Sequence, residues 1–176
     1  MSPTIPTKHL DKFKTNKGLS ISELSTHGKV MLVFLRHFGC TFCRESMADI
    51  CNKRKEIEEA GTTIILVHQM DEDYARQIME IYELDNLHRV SDPELNLYRS
   101  FGLGRGGIRQ LFGLRVWWRG FLAGFLKGHL VGSLRGDGWQ MPGVFVVYKN
   151  RILEAFRHEY ASDRPNYLAL ANCALR

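Results

Sequence analysis

Residues 30–35, VMLVFL, are uninterruptedly apolar and run through His37-Phe38-Gly39 into Cys40-Thr41-Phe42-Cys43, after which apolar residues recur at helical spacing. No other stretch restricts the fold so tightly: a buried strand must turn sharply here and open a helix on the first of two cysteines. A thiol at a helix N-terminus lies among unpaired backbone N–H groups and at the positive end of the helix dipole, which favour thiolate over thiol. Two intervening residues bring the second sulfur about one helical turn from the first, within reach of a disulfide that can form and reopen. Cys40 and Cys43 are therefore the candidate reactive residues of a dithiol site.

The chain has 176 residues, 44% of them hydrophobic, enough for one domain with a full core over residues 1–176. Residues 1–18 are polar and Lys-rich and read as a loose arm without the apolar stretch of a secretion signal. The longest apolar runs fall short of the roughly 20 residues of a membrane-spanning helix, so a cytoplasmic location is expected. Four cysteines are too few for a disulfide scaffold. Cys51 and Cys173 do not make a second short-spaced pair, so no metal site is expected. Cys51 reads as a small buried hydrophobe. The net charge of +5, from 24 Lys and Arg against 19 Asp and Glu with no basic run, argues against a nucleic-acid partner. Gly102, Gly104 and Gly107 match G-x-G-x-x-G but follow a helical pattern rather than a strand, so no nucleotide cofactor is implied.

In chain order, residues 21–24 read as a short strand or turn and residues 31–35 as the first firm strand. A helix is expected over 41–60, with Met47, Ile50, Cys51 and Ile57 on one face and Gly61 ending it. TTIILV, 62–67, is a β-branched run of the kind buried on both faces of a parallel sheet. A helix over 71–84 with Asp71 as N-cap, a strand over 88–90, a brief helix over 94–101, a hairpin of 144–148 and 152–156 about Lys149-Asn150, and a last helix over 165–175 complete the series. This α/β order, a central mixed sheet flanked by helices, is that of the thioredoxin fold. In that fold a cis-proline precedes the hairpin strand beside the thiols. Pro142 occupies the place, and a cis Met141–Pro142 bond is expected.

Three blocks carry a resemblance to a known family: FLRHFGCTFCRE (34–45), SDPELNLYRSFGL (91–103) and QMPGVFVVYKNRILEAFRHEYASDRP (140–165). Together they resemble the peroxiredoxin-like branch of the AhpC/TSA antioxidant proteins, within the thioredoxin superfamily. The resemblance implies a thiol oxidoreductase that needs no cofactor, acts on a peroxide or disulfide, and is recharged by a thioredoxin- or glutathione-type thiol. Within it Cys40 takes the place of the first thioredoxin cysteine, and Cys43 that of the second, where peroxiredoxins carry their peroxidatic cysteine. Arg36 stands where peroxiredoxins read Pro in P-x-x-x-T-x-x-C, and Cys40 where they read Thr.

Among the neighbouring charges, Arg36 is the favoured candidate for lowering a thiol pKa or holding charge on a peroxide oxygen, since a charged residue closing an apolar strand is costly without a role. Arg44 either does the same or pairs with a helix carboxylate. His37 reads as a loop residue rather than a base. Cys173, near the C-terminus, is a more distant resolving partner than Cys40.

The stretch 104–138 carries Trp117, Trp118, Phe121, Arg105, Arg109, Arg115, Arg119, Lys127 and Arg135, with Asp137 alone acidic. It reads as an insertion of one or two short helices packed over the fold and shielding the thiols. The alternatives are a partner groove and an anionic-membrane surface patch, which would make the chain a binding module rather than an enzyme.

Overall fold

Residues 9–107 and 136–174 are described by a computed structural model. Five strands form one sheet in the order β3-β2-β1-β4-β5: β1 (Lys29–Phe34), β2 (Thr62–His68), β3 (His88–Ser91), β4 (Gly143–Tyr148) and β5 (Arg151–Arg157). β1, β2 and β3 are mutually parallel, while β4 runs antiparallel to both β1 and β5. The centre of the sheet is therefore β1, the strand at which its sense changes, and the crevice beyond its carboxyl end is where open sheets of this kind place ligands.

Alternation along β1 divides the core in two. Met31 and Val33 point to a cluster with Met47, Ile50 and Ile57 of α2 (Thr41–Glu59), Ala75 and Met79 of α3 (Glu72–Ile81), and Tyr167 and Ala171 of α5 (Tyr167–Ala171). Val30, Leu32 and Phe34 point to the other face, with Ile21 of α1 (Ile21–His27) and Leu97 and Tyr98 of α4 (Asn96–Ser100). Phe34 meets Tyr98 and Phe145 edge-on at 5.0 and 5.6 Å between ring centres, the aromatic geometry that the ring quadrupole favours. The fold is the thioredoxin-like α/β arrangement, with helices on both faces of a mixed sheet.

Local chemistry sets the boundaries. Gly61, at φ +70°, ends α2 in the left-handed conformation that glycine takes without strain. The Asp71 side chain caps α3 by accepting the Tyr74 N–H at 2.8 Å. Lys149 and Asn150 both have positive φ, the two-residue turn whose twist matches an antiparallel hairpin.

Four expectations are corrected. Residues 21–24 open a helix, because Ser20 and Glu23 form a capping box: the Ser20 hydroxyl accepts from the Glu23 N–H while the Glu23 carboxylate accepts from Ser20 N–H. Residues 9–18 are not loose, since Leu10 is buried and Asn16 exchanges hydrogen bonds with the Arg89 main chain. The last helix is shorter than expected, running from the Asn166 cap to Ala171, which leaves Cys173 beyond its end. The Met141–Pro142 peptide is trans. Trans is the usual isomer of an X-Pro bond; here residue 140 pairs with residue 105 in an antiparallel bridge and the Met141 N–H donates to Gly104 O as the chain enters β4. The helices expected within 104–138 fall largely on residues 108–135, outside the described residues, as do Trp117, Trp118, Arg115, Arg119 and Lys127.

Candidate active site

Beyond the end of β1 the chain turns tightly, the Cys40 N–H donating to His37 O at 3.0 Å, and α2 begins with Cys40 as its N-cap residue. Cys43 lies in the first turn. Both thiols are free and nearly enclosed, Cys40 being 8% and Cys43 4% exposed. Arg36, 6% exposed, joins them. Its backbone N–H donates to Cys43 Sγ and its Nη1 to Cys40 Sγ, each at 3.2 Å.

The two sulfurs differ in acidity. A hydrogen bond from the Cys43 thiol, with help from the Arg36 charge and the N–H groups of Cys43 and Phe42, outweighs burial and brings Cys40 down to about 6. Cys43 is pushed well up, because its proton is held on Cys40 and because it is buried. The pair therefore holds one thiolate and one thiol at neutral pH.

The remaining Arg36 donors face a strap, residues 136–141. Nε donates to Gln140 O at 3.1 Å and Nη2 to Gly138 O. No carboxylate among the described residues pairs with this guanidinium, so its nearest anion is the Cys40 sulfur. Arg44 donates to Phe38 O at 3.1 Å, closing the turn rather than facing a sulfur. His37 is buried with Nδ1 unpaired. Desolvation, then the Arg36 charge, lowers its pKa to about 4, so it is neutral at pH 7.

Behind Cys43 is a cavity of about 10 Å³, lined by Arg36, Phe42, Cys43, Pro142, His158 and Tyr167 among others. That is about the room one water molecule needs. Arg164 pairs with Asp49, and with Glu45 at 3.5 Å, tying the loop after β5 to α2, which carries His158 to the cavity wall. Its Nδ1 is buried and unpaired.

Of the expected site residues, Cys40, Cys43, Arg36 and Pro142 come together. Cys51 is half-buried against the core, and Cys173 lies at the opposite end of the sheet. The Cys173 carbonyl accepts from Lys29 Nζ at the start of β1, seven residues before Arg36, or roughly 20 Å along a strand. Gln69, Gln140 and His158 were not singled out in the sequence. Gln69 could have been marked as a polar residue closing the buried β2 run and Gln140 as one beside Pro142, whereas His158 stands between Arg157 and Glu159 with no signal of its own.

A thioredoxin-like sheet that opens its central helix on a thiolate–thiol pair defines a class of thiol redox proteins. The AhpC/TSA family profile matches residues 4–156, and the chain belongs to that family. Peroxiredoxin-like 2A of Rattus norvegicus is 26% identical over 166 residues, covering 89% of this chain and 67% of that protein. Peroxidoxin BcpB of Mycobacterium tuberculosis superposes with a TM-score of 0.60 at 18% identity, covering 90% of this chain and 89% of that one. Peroxiredoxin Q of Xanthomonas campestris gives 0.57 at 15% identity over 95% and 94%. At such identities the solved structures establish the fold. Family membership points to thiol redox chemistry; peroxiredoxins in general act on peroxides with thioredoxin-type reductants.

Proposed function

We propose that the protein is a single-domain cytoplasmic thiol oxidoreductase in which Cys40 attacks and Cys43 resolves. The hydrogen bond from Arg36 Nη1 to Cys40 Sγ carries this reading, since it sets a cationic donor on the N-cap sulfur while Cys43 receives only the Arg36 main-chain N–H. With a disulfide substrate, the Cys40 thiolate displaces one sulfur as a thiolate and forms a mixed disulfide. Cys43 then gives up its proton and attacks Cys40, releasing the second thiolate and leaving a Cys40–Cys43 disulfide. With a peroxide, the thiolate takes the distal oxygen, the O–O bond breaks and the alkoxide gains a proton. Cys43 then condenses with the sulfenic acid and water leaves. Either route is a two-electron reduction of the substrate, and a thioredoxin- or glutathione-type thiol restores the pair.

In this scheme Arg36 holds the negative charge, and Pro142 walls the cavity behind Cys43. Stopped-flow reaction of the reduced protein with hydrogen peroxide and with a model disulfide, followed by mass mapping, tests it. We expect loss of two hydrogens at Cys40–Cys43. A product that links Cys43 to Cys173 would sink the Cys40–Cys43 couple, and a protein that stays reduced with both oxidants would sink the oxidoreductase reading and favour a non-enzymatic module.

A further inference from the structure

Gln69 follows β2 directly, and its buried amide is spent on two main-chain groups. Nε2 donates to Arg36 O at 2.7 Å, and Oε1 accepts the Asp137 N–H at 2.6 Å. The first bond fixes the backbone from which the guanidinium hangs. The second fixes the start of the strap whose Gly138 and Gln140 carbonyls accept from that guanidinium. One amide thus sets the separation between the cation and two of its acceptors.

The rest of the strap leaves little slack. Gly136 opens it at φ +89°, where a Cβ would lie 3.0 Å from Gln69 Oε1 and 2.4 Å from the tip of Met70; a side chain there strains the backbone and crowds the amide. At the other end Gln140 Nε2 donates to Leu103 O at 3.0 Å and Met141 O at 3.1 Å. A guanidinium is planar, with its N–H groups in a rigid fork. Once Nε and Nη2 are committed to two fixed carbonyls, the direction of Nη1 is determined, and it ends on Cys40 Sγ.

We infer that Gln69 is a positioning residue for the Cys40 thiolate: it bridges Arg36 to the strap and so aims Arg36 Nη1 at the sulfur. The inference rests on Cys40 being the low-pKa thiol. Gln69 touches neither sulfur, so its effect must pass through Arg36.

The test is the pH dependence of Cys40 alkylation by iodoacetamide in the reduced full-length protein, alongside thermal unfolding. The wild-type midpoint checks the underlying assignment; a midpoint near that of an ordinary thiol removes the proposed role of Cys40 before any variant is made. Gln69→Met keeps the length and removes both hydrogen bonds. It should raise the midpoint by about one pH unit, the lower end of what an opposite charge at this distance provides, with the high-pH plateau unchanged. Gly136→Ala perturbs the same contact from the strap side and should shift the midpoint the same way. In an Arg36→Met background, Gln69→Met should add no further shift, because two residues acting through one contact are not additive. Wild-type midpoints in both single variants, even with a lower Tm, would reduce Gln69 to a structural residue. An equal shift in the Arg36→Met background would overturn the route through Arg36.

Discussion

Cys40 and Cys43 share one helix start, yet a single proton separates them in kind. Because the largest contribution to the acidity of Cys40 is the hydrogen bond donated by Cys43, the second thiol activates the first before it takes part in any bond-making. Cys43→Ala should therefore raise the alkylation midpoint of Cys40 above about 6 and slow its reaction at pH 7, although Cys40 itself is intact. Cys40→Ala should leave Cys43 almost inert at that pH, since its remaining burial disfavours the thiolate. Alkylation rates assigned by mass spectrometry check both. A Cys43→Ala protein with an unchanged midpoint would show that Arg36 and the helix N-terminus suffice alone.

At the scale of elements, legibility in the sequence followed how local the determining interactions are. β2 was readable from a β-branched run, α3 from its Asp71 cap and periodicity, and the hairpin from Lys149-Asn150, because each signal lies within a few residues of what it specifies. α1 was missed although the Ser20-x-x-Glu23 box was present; a window of four mixed residues fits a strand or a helix, and the cap decides. The trans Met141–Pro142 bond is the isomer most X-Pro bonds adopt, and the cis expectation rested on the fold rather than on any local signal. The site divides the same way. Arg36, Cys40 and Cys43 sit within eight positions and could be read together. Gln69 meets Arg36 from 33 positions away, and Gln140 from 104, so only the folded sheet brings them to the guanidinium.

Taken as a whole, the molecule buries histidines as neutral rings. His37, His68 and His158 are each lowered from 6.5 to about 4, with desolvation the largest cause. His68 Nε2 lies 3.8 Å from Glu72 Oε2, but at neutral pH an uncharged ring makes no ion pair there. A folded pKa below the unfolded value means that, between pH 6.5 and 4, the unfolded chain binds protons that the native state refuses. Stability from these groups is complete above about pH 6.5 and is lost as pH falls toward 4. In a Cys40→Ala protein, where the lowered thiol no longer adds its own pH dependence between about pH 6 and 9, urea unfolding midpoints should be level from pH 8 to 7 and decline steadily from 6.5 to 4.5. A midpoint that holds constant down to pH 5 would mean that the rings are hydrated and titrate normally.

The buried Arg36 cation, whose Nη1 donates to the Cys40 sulfur, also bears on electron affinity. Whatever stabilises the thiolate stabilises the reduced protein, and a disulfide offers the guanidinium no charge in return. The proposed Cys40–Cys43 couple would therefore be displaced toward oxidising power, with each pKa unit of thiolate stabilisation worth about 1.4 kcal/mol, or about 30 mV for two electrons. Equilibration with glutathione buffers should place the wild-type potential above that of Arg36→Met. Under the proposed function, a cation under the strap would make the dithiol a readier acceptor of electrons from a reductant and a more reluctant donor to a substrate, so that the gain in attacking speed at neutral pH would be set against a smaller thermodynamic drive to reduce disulfides.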